Sequence, residues 1–156
     1  MLNGQIKIFA FDSSEYAQAL QLRYRILRLP LGLEFTNEEL EKDKYDIHVG
    51  LFDGEKIFAC ITLTRCENKR MKMRQVAVDG AAQGKGFGRA LCKAGENYAL
   101  ENGFEIMFCN ARKTAVPFYE SMGYQIVSHE FTEVNIPHYT MEKKLGLLLG
   151  DNTNLG

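Results

Sequence analysis

The sequence lacks closely spaced cysteines and long apolar runs. Its four cysteines never occur in C-x-x-C spacing, which argues against a zinc site or a redox pair. Three of them fall in apolar segments and are expected to be small core residues. No run of about 18 apolar residues occurs, and the first residues do not form a signal peptide. We therefore predict a soluble cytoplasmic protein with no metal site and no membrane partner.

An excess of charge of either sign is also missing. The net charge is −1, and 25% of the 156 residues are charged against 46% apolar. These are ordinary globular values, and they argue against a nucleic-acid partner. Without a repeat or a linker, we expect one domain over residues 1–145. The tail, residues 146–156, is predicted to be mobile or to pack on a partner. A homodimer is a separate expectation.

The first part of the chain predicts one strand and one helix. Residues 5–10 alternate between polar and apolar side chains, as a strand does. A helix is expected from Asp12 or Ser13, because Asp12 and Glu15 have capping-box spacing, and Pro30 should stop it. The helix carries three arginines that are expected to be either solvated or turned towards a substrate: Arg23, Arg25 and Arg28.

An acidic segment follows, residues 38–46, which is expected to hold a short second helix. Its carboxylates either form a solvated helix face or help to bind a cationic ligand. Residues 47–52 and 56–64 then read as two strands, joined by a hairpin turn at Asp53 and Gly54. A polar turn at residues 67–70 leads into another strand, residues 71–78, so that an antiparallel sheet is predicted.

A glycine-rich loop directly after that strand dominates the sequence. Gly84, Gly86 and Gly88 alternate with Lys85 and Phe87, and a helix is expected to begin near Phe87. Glycine takes positive φ at low cost and allows a ligand to approach the backbone closely. The free amides of the first helical turn favour an anion. We interpret the loop as a cradle for phosphate or pyrophosphate, the alternative being a simple tight connection.

The second half of the chain predicts another helix and three more strands. On the helix after the loop, Ala90, Leu91, Ala94 and Tyr98 share one face, and Gly103 should end it. Residues 104–109 predict a buried strand and residues 115–122 a short helix. Residues 124–131 and 138–144 are expected to form a closing antiparallel pair.

Known phosphate loops can be compared with the glycine segment. A P-loop requires Ser or Thr after its lysine, whereas Gly86 follows Lys85. The dinucleotide pattern G-x-G-x-x-G/A fails from Gly84 and again from Gly86. The pattern that fits is Q-x-x-G-x-G, formed by Gln83, Gly86 and Gly88, after a strand that ends in Val-Ala-Val.

This pattern resembles the pyrophosphate loop of the GNAT superfamily of acetyl-CoA-dependent N-acetyltransferases. A second segment supports the resemblance, because TAVPFYESMGY matches the family's A-x-x-F/L-Y-x-x-x-G-F/Y at Ala115, Phe118, Tyr119, Gly123 and Tyr124. The resemblance is good over residues 70–145 and loose before them. It implies an α/β (mixed α+β) acyl-CoA N-acyltransferase fold, with a mostly antiparallel sheet of about six to seven strands flanked by helices.

The resemblance implies that acetyl-CoA is the cosubstrate and that a small-molecule amine or an exposed amino group is acetylated. The coenzyme would lie on the strand end and the glycine loop, with the Val76 amide polarising the thioester carbonyl. The residues assigned to it are Val76, Ala77, Val78, Gln83, Gly84, Lys85, Gly86, Phe87, Gly88 and Arg89. Tyr119 would donate to the departing sulfur, unless it only packs beneath the loop.

The general base is the least defined part of this prediction. Many members of the family place a glutamate in the strand before the glycine loop, but RMKMRQVAV contains none. His138 and Glu133 are the first replacements, since a histidine can accept a proton near pH 7. His48 and Glu34 are weaker candidates, and a water relay is another. A regulatory protein that binds acyl-CoA without turnover remains open, as does an unrelated nucleotide-binding protein.

Overall fold

The structure, a computed structural model, describes residues 4–146. These residues form the mixed α/β fold that the sequence predicts, with eight strands in a mostly antiparallel sheet. The strands are β1 (Gln5–Phe9), β2 (Ile47–Asp53), β3 (Lys56–Arg65), β4 (Arg70–Val78), β5 (Ile106–Arg112), β6 (Gln125–Ile126), β7 (Phe131–Glu133) and β8 (Ile136–Lys144). The helices are α1 (Ser14–Arg23), α2 (Asn37–Lys42), α3 (Phe87–Glu101) and α4 (Val116–Glu120). The predicted tail lies almost entirely outside the described residues.

The chain divides into two compact units. The first contains residues 4–64 and 73–95, and the second contains residues 65–72 and 96–146. Both β4 and α3 run from one unit into the other.

In the first unit, β1 pairs antiparallel with β2, and β2 pairs antiparallel with β3. Helix α1 supplies Tyr16, Ala19 and Leu22 to the core of this unit, where they join apolar side chains of the strands. The strand residues of this core are Phe9, Phe52, Ile57, Cys60 and Ala77. Burial of these side chains is the main force that holds α1 on the strands.

Helix α1 begins one residue later than the capping-box spacing suggests. Ser13 is the N-cap, and its hydroxyl accepts a hydrogen bond from the Tyr16 amide at 3.1 Å. The predicted capping box of Asp12 and Glu15 is therefore wrong. After Arg23 the chain continues through a π-helical turn, Tyr24–Arg28, and a 3₁₀ turn, Leu29–Leu31. Pro30 lies in this last turn, where the helical path ends as predicted.

Helix α2 forms within the acidic segment, as predicted. Thr36 and Glu39 make a capping box here, with the Glu39 amide donating to Thr36 Oγ1 and the Thr36 amide to Glu39 Oε1. A 3₁₀ turn, Asp43–Tyr45, follows and leads into β2. This turn carries Asp43, which is completely buried.

In the second unit, residues 70–72 of β4 run parallel to residues 106–108 of β5. Strand β5 pairs antiparallel with β8 along its whole length. Strands β6 and β7 both pair with β8, so the predicted single strand over residues 124–131 is wrong. Between these two strands, the Thr140 amide of β8 donates to Ser128 Oγ at 2.9 Å.

Candidate active site

Strand β4 has an irregularity just before the residues assigned to the thioester. Gln75 has φ of 57°, a left-handed conformation that non-glycine residues seldom adopt in a strand. Val76 and Val78 after it are half-buried, while Ala77 between them is buried. The parallel ladder with β5 covers only residues 70–72 of β4. The end of this strand is therefore kinked at Gln75.

Hydrogen bonds and one ion pair of Asp79 and Gln83 hold the turn between β4 and the glycine loop. The Asp79 amide donates to the Phe58 carbonyl at 2.8 Å. The Asp79 carboxylate accepts from the Ala81 amide at 3.0 Å and pairs with Arg25 at 2.9 Å. Gln83 Nε2 donates to the Val78 carbonyl at 3.1 Å. The Gln83 side chain thus fixes the path of the chain into the loop.

Two residues of the glycine loop have a left-handed backbone and open space beside them. Gly84 and Gly86 have φ of 80° and 82°. A Cβ atom added at either position would have no protein atom within 4 Å, so the space beside the backbone is open. Gly88 differs, because it lies in the first turn of α3. The interpretation of the loop as three glycines free to take positive φ is therefore wrong for Gly88.

Helix α3 begins at Phe87, where the sequence predicts it. The Ala90 amide donates to the Gly86 carbonyl at 3.0 Å. The amides of Phe87 and Gly88 precede this bond and have no acceptor within the helix, because the first turn never supplies one. Lys85 and Arg89 are exposed beside them. Donors and positive charge therefore occur together at the start of α3, where the helix dipole also favours an anion.

Tyr119, the candidate donor, belongs to the second unit and is 6% exposed. It lies in α4, whose first turn contains Pro117. Its ring packs edge-on against Phe118 and Tyr124, with centroids 5.1 and 5.7 Å away. The aromatic contacts fix the position of the Tyr119 ring within this unit.

His138 and Glu133 lie on the same face of the β7–β8 hairpin, because Phe131 is opposite His138 and Glu133 is opposite Ile136. His138 is 5% exposed and stacks on Phe131. Its Nδ1 lies 2.9 Å from the Ile136 carbonyl, so Nδ1–H is the donor of the neutral ring and Nε2 keeps its lone pair. Glu133 is exposed. The hydrogen bond at Nδ1 therefore holds the His138 ring and its Nε2 atom in place, whereas within residues 4–146 no such contact is described for the Glu133 carboxylate.

The weaker candidates for the base differ in their surroundings. His48 is 2% exposed, with Nε2 at 2.8 Å from the Asp43 carbonyl and Nδ1 at 3.2 Å from Thr62 Oγ1. Burial lowers the pKa of His48. Both ring nitrogens are thus occupied, and the proposal of His48 as a base is wrong. Glu34 is exposed in the loop before α2.

Thiol chemistry is also excluded for two cysteines. Burial raises the pKa of Cys60 and of Cys109 to about 12. Neither thiol is ionised near neutral pH, so neither is a nucleophile. Cys60, Cys92 and Cys109 are buried, as predicted, and Cys66 is exposed.

The acidic segment is neither a solvated face throughout nor a set of free carboxylates. Asp43 accepts from Arg23 Nη1 at 2.9 Å and from Arg74 Nη2 at 3.1 Å. Arg74 Nη2 also binds Asp46 at 2.6 Å. In addition, Glu39 pairs with Arg28 and Glu41 pairs with Lys44. Four carboxylates of this segment are therefore already paired with basic side chains of the protein: Glu39, Glu41, Asp43 and Asp46.

This ionic network is the part of the first unit that sequence reasoning missed. Of the three helix arginines, Arg23 is 1% and Arg28 is 7% exposed, so both are buried instead of solvated. Arg25 is exposed and pairs with Asp79. The Thr36–Glu39 capping box was the one local signal that fixed the position of the acidic segment, but nothing in the sequence indicated its distant partners.

The described residues contain neither a membrane-spanning helix nor a metal-binding cluster. Within residues 4–146, no helix is long and apolar enough to cross a bilayer. The same residues contain no group of three His, Cys, Asp or Glu side chains that could hold a metal ion.

The chain is similar to known proteins in both sequence and structure. The family model "Acetyltransferase (GNAT) domain" matches residues 32–145. The uncharacterized N-acetyltransferase YjcF of Bacillus subtilis is 33% identical over 137 residues, which cover 87% of this chain and 97% of YjcF. A presumed N-acetyltransferase from Lactobacillus plantarum has a similar structure, with a TM-score of 0.83, 24% identity, and coverage of 91% of this chain and 98% of its own.

A further solved structure is that of an aminoglycoside 6'-N-acetyltransferase complexed with coenzyme A. Its TM-score to this chain is 0.71 at 18% identity, with coverage of 89% of this chain and 97% of its own. At this identity the similarity concerns the fold alone. The family is shown by the model that matches residues 32–145 and by the relative at 33% identity. The chain therefore belongs to the GNAT acetyltransferase family.

Proposed function

We propose that the protein transfers the acetyl group of acetyl-CoA to a primary amine, on a small molecule or an exposed amino group, by direct attack in a ternary complex. The observation that carries the proposal is the glycine loop. Gly84 and Gly86 hold positive φ beside open space, and α3 starts directly after them. This arrangement offers backbone amides to a diphosphate.

The remaining coenzyme residues fit the same assignment. Lys85 and Arg89 are exposed at the loop and supply positive charge. Val76 and Val78 would offer backbone groups to the pantetheine arm in the way that a strand binds a peptide. The kink at Gln75 changes the course of the strand immediately before them. The solved relative with coenzyme A supports the use of a CoA thioester by this fold.

Acetyl-CoA would supply an activated thioester. Side chains of the protein would accept the proton of the amine and donate a proton to the departing sulfur. A primary amine with a pKa of about 10.4 is almost fully protonated near pH 7, so it must lose a proton before it attacks. His138 Nε2 or a water relay would accept that proton. As the new C–N bond forms and the C–S bond breaks, Tyr119 would protonate the departing sulfur. The Val76 amide would stabilise the negative charge on the carbonyl oxygen.

A second function is favoured by one observation, because β4 reads RMKMRQVAV and contains no carboxylate. A protein that binds acyl-CoA as a sensor needs the cradle but no base. It would bind acetyl-CoA and leave it intact.

The test is to incubate the protein with acetyl-CoA and a panel of primary amines, and to follow both free CoA thiol and acetylated amine. The proposed function predicts amine-dependent release of CoA with matching formation of the amide. Propionyl-CoA serves as a comparison for acyl selectivity. Binding of acetyl-CoA with no product from any amine would favour the sensor instead.

A further inference from the structure

The buried side chain of Arg23 uses only part of its hydrogen-bonding capacity. Arg23 is 1% exposed, and its Nη1 donates to Asp43 Oδ2 at 2.9 Å. Its Nε and Nη2 are buried and have no hydrogen-bond partner within residues 4–146. A buried charged group with unsatisfied donors is costly, so such donors are uncommon unless a ligand or an ordered water completes them.

The carboxylate oxygens nearest to Arg23 already accept hydrogen bonds from other donors. Asp43 Oδ2 already accepts from Tyr16 Oη at 2.5 Å as well as from Arg23. Asp43 Oδ1 accepts from Arg74, and Arg74 also binds Asp46. The nearby carboxylate network is therefore committed to other donors.

Phe35 covers the guanidinium group without using its N–H groups. The Cζ atoms of Arg23 and Arg28 lie 4.9 and 4.4 Å from the centroid of the Phe35 ring. In a cation–π contact of this kind the positive charge is attracted to the face of the aromatic ring, and the ring supplies no nitrogen or oxygen acceptor. The edge of Arg23 that carries Nε–H and Nη2–H is left to another partner.

That edge has the geometry of a carboxylate site. Nε–H and Nη2–H are adjacent and roughly parallel on the planar guanidinium, and such a pair binds the two oxygens of a carboxylate. The site also lies close to the proposed chemistry along the chain, because Arg74 of the same network precedes Gln75 and Val76 on β4. Both arginines bind one carboxylate, that of Asp43.

We propose that the Nε and Nη2 edge of Arg23 binds a carboxylate of the acceptor, so that the preferred substrate is an amine that also carries a carboxylate group. This inference rests on the proposed function and names its substrate class. Phe35, whose ring lies beside this guanidinium, is half-buried in the segment before α2. The carboxylates of Asp43 and Asp46 are already paired with arginines, which agrees with an anionic rather than a purely cationic acceptor.

The first experiment compares matched acceptors. Amino acids of several chain lengths are assayed with acetyl-CoA beside their carboxamides, which present the same amine without the negative charge. We expect kcat/KM to be higher for at least one carboxylate than for its carboxamide by about tenfold or more. Amidation lowers the pKa of a nearby amine and increases its neutral fraction, so amine reactivity would act in the opposite direction. Equal values for every pair would overturn the proposal.

The second experiment observes Arg23 itself and does not depend on turnover. The Nε–H resonance of Arg23 in a ¹⁵N NMR spectrum is assigned by its absence in Arg23→Lys. We expect the best amino acid of the panel to shift this resonance, and its carboxamide to leave it unchanged. An unchanged resonance at saturating amino acid would contradict the proposal, even if the protein acetylates amines.

The variant Arg23→Lys tests the edge specifically, because lysine keeps the positive charge beside Asp43 but has no paired N–H edge. We expect it to lose the preference for carboxylates while its affinity for CoA stays the same. The control is Arg65→Lys, an exposed arginine whose Nη2 lies 3.4 Å from Tyr98 Oη, and it should keep the preference. If Arg23→Lys does not fold, the matched acceptors and the resonance of the wild-type protein decide the matter.

The failure of the proposed function would be visible separately. In that case no amine would be acetylated, while the Arg23 resonance would still report whether the edge binds a carboxylate. A shift without turnover would retain the carboxylate site and reject the acetyltransferase activity.

Discussion

Two buried tyrosines of the second unit, Tyr119 and Tyr124, are neighbours with different expected roles. Their ring centroids are 5.7 Å apart. We predict that Tyr119→Phe lowers kcat by about 100-fold, the smaller end of the range for loss of a proton donor, and leaves the affinity for CoA unchanged. Steady-state kinetics and calorimetry measure the two quantities.

Tyr124→Phe is the matched control. Tyr124 Oη donates to Glu96 Oε2 at 2.8 Å, and Glu96 also pairs with Lys143. Loss of the Tyr124 hydroxyl should reduce the free energy of unfolding by about 1–3 kcal/mol, because the buried Glu96 carboxylate loses a donor. It should have little effect on kcat. Equal loss of kcat in the two variants would mean that Tyr119 acts only through packing.

A buried histidine should make stability depend on pH. Burial lowers the pKa of His48, while in the unfolded chain the pKa returns to about 6.5. As the pH falls below that value the unfolded state binds the proton more readily, so stability is present above it and is lost on acidification. We predict that His48→Gln reduces the slope of unfolding free energy against pH, below pH 6.5, by up to about 1.4 kcal/mol per pH unit.

The exposed His129 provides the comparison for this effect. Urea unfolding of His129→Gln at several pH values should give the slope of the wild-type protein. If His48→Gln also keeps that slope, the histidine does not resist protonation in the folded state.

At the scale of the element, the glycine loop can be tested with a matched pair of glycines. Gly86 and Gly103 have φ of 82° and 86°, and a Cβ atom at either would have no protein atom within 4 Å. Alanine should therefore cost a similar free energy of unfolding at both positions, about 1–2 kcal/mol. Only Gly86→Ala places its new methyl group where the diphosphate is expected. We predict that it weakens CoA binding by about tenfold or more, measured by calorimetry, while Gly103→Ala retains the wild-type affinity.

Wild-type affinity for CoA in both variants would show that the coenzyme does not approach Gly86. Equal weakening would show that backbone strain, and not contact with the ligand, lowers the affinity.

The elements set by local chemistry were predictable from the sequence. The strand that ends at Val78, the start of α3 at Phe87 and its end near Gly103 all follow from nearby residues. Elements set by distant contacts were not. Between β6 and β7, for example, Ser128 accepts a hydrogen bond from the amide of Thr140, which lies on β8.

The buried face of α3 also combines a feature that the local sequence predicts with one that depends on distant contacts. Periodicity assigned Ala90, Leu91, Ala94 and Tyr98 to one face, but Ala90 is exposed. Gly95 is instead the point of closest approach, since a Cβ there would lie 2.9 Å from Ile61 Cδ1. A glycine carries no hydrophobic signal, so a pattern of apolar residues cannot reveal such a contact.

On the scale of the whole molecule, the family and the backbone of the glycine loop were predictable because their motifs are short and local. The network that surrounds Asp43 was not, since its arginines, Arg23 and Arg74, come from separate parts of the chain. The sequence of β4 shows directly that this strand has no carboxylate. It does not show where a replacement base lies in the fold.

Calorimetric titration with CoA tests the central claim that the amides of the glycine loop bind a diphosphate. The matched ligand is pantetheine, which has the thiol arm and no diphosphate. We predict saturable binding of CoA at one site, with pantetheine weaker by about 100-fold or more. Absence of CoA binding, or equal affinity for the two ligands, would contradict the account.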